Sequence, residues 1–285
     1  MRQDRNQFGK RENTDNNRRR DYRKYDEKPV RPRVEYSKHK EEEEEEEETD
    51  IRLNRYISNA GICSRREADK LIEKGEITVN GKVVTELGLK VSVSDDIRYQ
   101  NKKLNPEAKV YVLLNKPKNT VTTSHDPQGR PTVLNLVEAA CDERIYPVGR
   151  LDRQTTGVLL LTNDGDLSKK LTHPSSKTKK IYHVFLDKAV SLEHLKQIAE
   201  GIKLEDGFIK PDEINYVADD KTEIGIEIHS GRNRIVRRIF ENFGYNVVKL
   251  DRVYFAGLTK KNISRGKWRF LTAKEITFLK AGILG

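Results

Sequence analysis

The stretch Gly149-Arg150-Leu151-Asp152-Arg153-Gln154-Thr155-Thr156-Gly157 sets one carboxylate between two guanidiniums, and the apolar run Val158-Leu159-Leu160-Leu161 follows at once. A charged loop running into a buried strand holds a carboxylate at the rim of a core. Arg150 and Arg153 would keep Asp152 ionised, because nearby opposite charge favours the charged form. An ionised, positioned aspartate can serve as nucleophile or base. On this stretch alone, a turn-capping aspartate paired with a neighbouring arginine is the simpler account. Two further residues carry chemistry of the same order. Tyr182 lies inside Ile181-Tyr182-His183-Val184-Phe185-Leu186, and Arg237 lies early in a helix that follows Gly231-Arg232-Asn233-Arg234-Ile235-Val236. Taken singly, Tyr182 reads as core with a satisfied hydroxyl, and Arg237 as surface like its neighbour Arg238.

The elements that must position these residues follow from hydrophobic spacing. Leu53, Tyr56 and Ile57 fall at helical spacing and Gly61 ends that helix. Ser64-Arg65-Arg66-Glu67 is a capping box, Ala68, Leu71 and Ile72 give a second helix its apolar face, and Gly75 stops it. Ile77-Thr78-Val79, Asn80-Gly81 and Lys82-Val83-Val84 predict a hairpin with a type I′ turn. Farther on, Val110 to Leu114 reads as a buried strand closed by Asn115-Lys116-Pro117, and a short helix starts at Val133. Val158 to Thr162 is a second buried strand with Asn163-Asp164-Gly165 as its turn, and residues 181–186, apolar on both faces, form an interior strand. Leu192, Leu195, Ile198 and Ala199 mark an amphipathic helix between Ser191 and Gly201; Ile224, Ile226 and Ile228 alternate as a half-buried strand. Strands and helices intermix without a regular βαβ rhythm, so the expected class is α+β around one main sheet.

Charge names the partner class. The 285 residues carry a net +10, and they divide unevenly. Residues 1–40 hold 14 Lys+Arg and 7 Asp+Glu, Glu41 to Asp50 hold nine acids, and residues 51–285 hold 41 Lys+Arg against 29 Asp+Glu, a net of +12. Residues 1–50 read as a disordered charged tail, too polar to offset the entropy of ordering it. The basic excess of the folded part points to a polyanion, most often nucleic acid. Arg52, Arg55, Arg65, Arg66, Lys70, Lys74 and Lys82 make the first folded segment a compact basic module with too few acids to pair them, an RNA-backbone footprint. No run approaches the ~18 apolar residues of a spanning helix, and Met1 to Lys10 lacks a signal-peptide core, so a cytoplasmic protein with no membrane partner is expected. Two distant cysteines and six histidines without paired spacing predict neither disulfide nor metal site.

Arg52-Leu53-Asn54-Arg55-Tyr56, Gly61-Ile62-Cys63-Ser64-Arg65-Arg66-Glu67-Ala68 and Val79-Asn80-Gly81-Lys82 resemble the S4-like RNA-binding domain, an accessory that grips structured RNA. The rest closely resembles the pseudouridine synthases that modify small- and large-subunit ribosomal RNA. The matching stretches are Tyr146 to Asp152, Leu159 to Gly165, His173-Pro174-Ser175, Lys180-Ile181-Tyr182, Gly231 to Arg234 with Val236-Arg237-Arg238, and Gly266 to Arg269. Several long motifs in one order are far more specific than one short match. Ile235 departs from the pattern, which usually carries a polar residue such as Gln there. The resemblance implies a small S4-like domain over 51–104 and, over 105–285, a mixed, mainly antiparallel sheet with flanking helices. It implies isomerisation of a uridine in ribosomal RNA by a monomer, with no cofactor and no small-molecule partner. Asp152 would be the catalytic carboxylate, and Tyr182 would stack on the flipped base and relay a proton. Arg237 would orient the carboxylate, Val236 would wall the base pocket, and Arg150 would contact RNA. Asp126-Pro127-Gln128-Gly129-Arg130-Pro131-Thr132-Val133 looks most like the branch acting on large-subunit RNA. The competing account is a non-catalytic RNA-binding ribosome-assembly factor; a pure binder has no need of a carboxylate beside a polyanion. A small-molecule hydrolase fits neither the basic module nor the missing metal ligands.

Overall fold

The computed structural model describes residues 50–282, so the tail read over residues 1–50 lies outside the described part except for Asp50. Ile51–Arg52 (β1) leads into Leu53–Asn59 (α1), and Arg65–Glu73 (α2) follows. The capping box closes at the start of α2: the Glu67 amide donates to Ser64 Oγ at 3.4 Å and the Ser64 amide donates to the Glu67 carboxylate at 2.8 Å. Ile77–Val79 (β2) and Lys82–Val84 (β3) form the hairpin, with Asn80 and Gly81 at φ 51° and 79°, the left-handed pair a type I′ turn demands. Lys90–Val91 (β4) pairs with β1; Ile97–Tyr99 (β5) and Lys102–Lys103 (β6) complete a four-stranded sheet, β3-β2-β5-β6. These elements enclose their own core of Leu53, Tyr56, Ile57, Ala68, Ile72, Ile77, Val91, Ile97 and Leu104. Tyr56 is buried there because its hydroxyl finds the Leu104 carbonyl at 3.0 Å.

The remainder is built on one larger sheet. Its elements are Tyr111–Lys116 (β7), Val133–Val137 (α3), Tyr146–Pro147 (β8), Thr156–Thr162 (β9), Gly165–Thr172 (α4) and Lys180–Leu186 (β10). There follow Leu192–Glu200 (α5), Ile202–Leu204 (β11), Gly207–Ile209 (β12), Glu213–Tyr216 (β13), Glu223–Ile228 (β14) and Ile235–Glu241 (α6). Val247–Phe255 (β15), Leu258–Thr259 (β16), Trp268–Phe270 (β17) and Ala273–Ala281 (α7) complete the described chain. The strand order is β13-β14-β10-β15-β9-β7-β17, with β16 on β15 and β8 on β9. Every pairing in this sheet is antiparallel except β9 with β15, which run parallel over two residue pairs, Asp251↔Thr156 and Arg252↔Gly157. The class is therefore α+β with a mixed, mainly antiparallel sheet. No described helix is long and apolar enough to cross a membrane.

That short parallel junction joins two halves with separate cores. β10, β14 and α6 bury Val184, Ile224, Ile226, Ile228, Val236, Ile239 and Phe240, while β7 and β9 bury Val112, Leu114, Leu159 and Leu161 beneath α3. Tyr182 packs against both. Gly157 makes the junction possible. At φ 110°, its missing Cβ is where the Arg252 carbonyl and the Asp251 carboxylate approach, and any side chain would collide with backbone.

Three expectations change. Asn163-Asp164-Gly165 is a helix start rather than a turn: the Asp164 carboxylate accepts from the Leu167 amide at 3.1 Å and α4 begins. Asn, Asp and Gly favour turns and N-caps alike, which is why the stretch was ambiguous. Helix α5 forms, but only Leu195 and Ile198 are buried; Leu192 is 55% exposed, since a nine-residue helix presents a narrow stripe to the sheet. β10 is interior by pairing, with β14 on one side and β15 on the other, yet Lys180 to His183 are only half-buried. That end of the strand opens into a cleft.

Candidate active site

The carboxylate loop is fixed from beneath by a lysine. β7 carries its burial through Lys116, which has no solvent exposure. Its ammonium donates to the carbonyls of Thr155 (2.9 Å), Asp152 (3.1 Å), Pro117 (3.1 Å) and Arg153 (3.3 Å). The Thr155 amide also donates to the Asp152 carbonyl at 3.0 Å, and the Thr122 hydroxyl donates to the Leu151 carbonyl at 2.8 Å. Three of these carbonyls, converging on one ammonium, turn the backbone of residues 152–155 around a single point. Burial pulls the Lys116 ammonium down to about 8, against the pull of the Asp152 charge, and Arg265 adds to the depression.

The Asp152 side chain is about one-third exposed and faces a cleft with Arg150, Leu151, Thr155, Tyr182 and Val236. Its ionic partners are not the sequence neighbours. Among the described residues, the cations within 4.0 Å are Arg237 Nε, at 3.8 Å from Oδ2, and Arg234 Nη1, at 3.9 Å. The expectation that Arg150 and Arg153 flank the carboxylate is thus corrected: the turn at 152–155 leaves both arginines exposed, and α6 supplies the charge instead. At these distances the contacts are ionic rather than hydrogen-bonded.

Arg237 is not surface. It is 8% exposed, held by Nη1 donating to the Val247 carbonyl at 2.9 Å, and its Nε has no acceptor. Burial and the adjacent Arg234 lower its pKa, and Asp152 and Glu241 oppose them. A buried N–H lying 3.8 Å from a carboxylate oxygen closes to a charge-assisted bond with a small shift; catalytic hydrogen bonds are often long without substrate and tighten when it binds. Arg234 caps α6 in the left-handed region, φ 46°, and its Nη2 reaches Glu241 at 3.1 Å. Val236, Ile235, Leu151 and Leu250 line the cleft with apolar surface, each at most 6% exposed. The cleft is open to solvent. A carboxylate, an aromatic face, an apolar wall and two guanidiniums around such a space suit a planar base attached to a phosphodiester.

Comparison with known proteins decides the family. Residues 110–242 match the RNA pseudouridylate synthase family and residues 51–97 the S4 domain. The chain is 42% identical over 234 residues to the "Ribosomal large subunit pseudouridine synthase B" of Bacillus subtilis, covering 81% of this chain and 96% of that one. The chain belongs to the RNA pseudouridylate synthase family. An "Uncharacterized RNA pseudouridine synthase" of Aquifex aeolicus is 41% identical over 81% of this chain and 94% of its own length. The "Dual-specificity RNA pseudouridine synthase RluF" of Escherichia coli is 35% identical, over 80% and 78%. A crystal structure of a pseudouridylate synthase superposes with TM-score 0.57 at 29% identity, covering 80% of this chain and 99% of the other.

In this pseudouridine synthase the structure brings Asp152, Tyr182, Val236 and Arg150 to one cleft, with Arg237 against the Asp152 carboxylate. Of the basic residues singled out in the first segment, Arg52, Arg65, Arg66, Lys70 and Lys82 are exposed. Arg55 differs, for its guanidinium is paired with Asp166 of α4 and spends its charge within the protein. Lys116, Thr155 and Arg234 are site residues that the sequence reading does not reach. Lys116 had one signal, a lysine closing an apolar run, and a strand end followed by proline gave it a bland explanation. Arg234 lay inside a quoted motif with nothing to separate it from Arg232.

Proposed function

We propose that the protein converts a uridine of large-subunit ribosomal RNA to pseudouridine. The observation that carries this reading is the meeting of Asp152, Tyr182 and Val236 around one cleft, with Arg237 against the carboxylate, from three segments distant in sequence. Uridine and pseudouridine are isomers, so the reaction needs no oxidant, reductant or cofactor. The bond from C1′ to N1 must break, the base must turn, and a bond from C1′ to C5 must form. Asp152 begins this by attack on the nucleotide or by assisting elimination at the sugar. The base must leave its stack to reach the cleft. Tyr182 then stacks on it, with Val236 as the opposing apolar wall, and Arg234 and Arg237 orient the carboxylate. Residues 51–104 grip the RNA through Arg52, Arg65, Arg66, Lys70 and Lys82, and residues 105–285 perform the chemistry. The name of the Bacillus subtilis relative and the Asp126 to Val133 loop favour the large subunit. Mapping pseudouridine across both ribosomal RNAs, with and without the gene, tests this. One large-subunit site should disappear; an unchanged map would leave the binding-factor account standing.

Tyr182→Phe keeps the ring and removes the hydroxyl. The variant should bind RNA within about twofold of the parent, since stacking belongs to the ring. It should lose roughly 10²-fold or more in single-turnover rate, the scale of a lost acid–base group. A large loss of RNA affinity would show that the hydroxyl, not the ring face, holds the substrate.

A further inference from the structure

Arg252 is the most deeply buried guanidinium near the cleft, at 2% exposure, and nothing above gives it a task. It lies on β15 directly across from Tyr182 in the antiparallel ladder with β10, two residues beyond the cleft-lining Leu250 and on the same strand face. Its Nε donates to the Val158 carbonyl at 2.8 Å, just past the last parallel pair, where β9 and β15 part. Its guanidinium carbon sits 4.5 Å from the centre of the Phe255 ring, and Nη2 is buried without a partner. Burial lowers its pKa, and the phenol of Tyr182, through charge and hydrogen bonding, is what opposes the fall. From β10 the other facing charge is Lys180, whose ammonium donates to the Thr178 and His229 carbonyls at 2.7 and 2.9 Å. Burial, and then Arg252, bring that ammonium down to about 8.

A buried cation without a carboxylate is costly, and a polar group left partly unpaired in the interior usually marks a use. Phe255 and Val158 would be satisfied by an apolar residue and a water. The phenol is the one neighbour that a guanidinium serves better than any apolar side chain.

We infer that Arg252 is a positioning residue for Tyr182: it holds the phenol oxygen as an acceptor from behind, so that the hydroxyl faces the cleft as the proton relay that finishes the isomerisation. The inference rests on the reading of Tyr182 given above. Once C1′ is joined to C5, that carbon still carries its hydrogen. The C5–H bond breaks and its electron pair closes the C5–C6 double bond. The phenol gives its own proton to water, its oxygen takes the proton from C5, and water returns one proton to N1, where the electrons of the C6–N1 double bond have moved. One proton leaves the base and one is gained, and Tyr182 ends as it began. Arg252 balances the charge on the oxygen during the exchange and touches neither base nor sugar.

The test is a double-mutant cycle on transcribed large-subunit ribosomal RNA, read as pseudouridine formed in a single turnover. Arg252→Met should slow the reaction by about 10²-fold in the parent, and by no more than about twofold in the Tyr182→Phe background, because the two side chains act as one unit. Arg252→Lys should recover about tenfold of that loss, as a partial donor does. RNA transcribed with deuterium at C5 should react more slowly than protiated RNA, and the ratio should be larger for Arg252→Met than for the parent. Equal slowing in both backgrounds, or an unchanged isotope ratio, would make Arg252 a purely structural wedge between β9 and β15. If Arg252→Met does not fold, Arg252→Lys carried through the same cycle decides by the same criteria. A Tyr182→Phe variant with full parent activity would instead overturn the reading of Tyr182 itself, and this inference with it.

Discussion

Asp152→Asn is expected to abolish pseudouridine formation, by on the order of 10⁴-fold or more, while RNA still binds. The substitution preserves volume and shape and removes the charge that can attack or assist at the sugar. It leaves the loop intact, because that loop is held by the Asp152 backbone carbonyl, bonded to Lys116 and to the Thr155 amide, and not by the side chain. Arg234 and Arg237 lose a counter-charge that stood 3.8–3.9 Å away, with Glu241 remaining beside Arg234. A phosphodiester entering the cleft then meets more positive potential, not less. Affinity should therefore hold or tighten, and the salt dependence of binding should steepen. Release of tritium from C5-labelled uridine, followed beside filter binding over a salt series, reads both quantities. Turnover near the parental rate would remove Asp152 from the mechanism, and loss of binding with intact fold would assign it to RNA recognition.

Short-range chemistry was legible in the sequence. The capping box at Ser64, the Asn80-Gly81 turn and the alternation of Ile224, Ile226 and Ile228 are rules that act within a few residues, and each survives in the fold. The long motifs also placed Asp152, Tyr182, Val236 and Arg237 as one set. What the sequence left out depends on where distant segments land. Arg150 and Arg153 sit beside Asp152 in the chain, and local reasoning made them its partners. The turn at 152–155 instead presents the carboxylate to α6, more than eighty residues later, where Arg234 and Arg237 wait. Arg55 looked like any other exposed base of the first segment until its helix met Asp166. The buried cations Lys116 and Arg252 were hidden for the same reason. A lysine or arginine beside apolar residues reads as solvated unless the carbonyls that will receive it are known, and most of those carbonyls come from segments distant in the chain.

Lys116→Met is the second large effect, and it separates loop geometry from chemistry. Methionine fills nearly the same volume but offers no donor, so the carbonyls of Pro117, Asp152, Arg153 and Thr155 lose a shared partner. A buried acceptor left unpaired costs about 1–3 kcal/mol. Three of these four contacts lie close enough to the surface for water to replace them, so the loss of stability should be about 2–3 kcal/mol, read as a lower denaturant midpoint. The loss of activity should be larger than that stability change explains, about 10²-fold in single-turnover rate at a temperature where the variant is folded, because a carboxylate displaced by ~1 Å forfeits its approach to the sugar. The same group predicts the alkaline behaviour of the parent. Its folded pKa, about 8, lies below the ordinary lysine value of 10.5. Between those values the unfolded chain holds one more proton than the folded protein, so this group makes stability rise with pH across the window. Activity should move the opposite way, falling as the ammonium becomes an amine with one donor fewer for four carbonyls. A parent that loses activity above pH about 8 without unfolding, beside a Lys116→Met variant that is slow at every pH and lacks that limb, is the expected pair of profiles. A variant with the parental limb would place the titrating group elsewhere in the site.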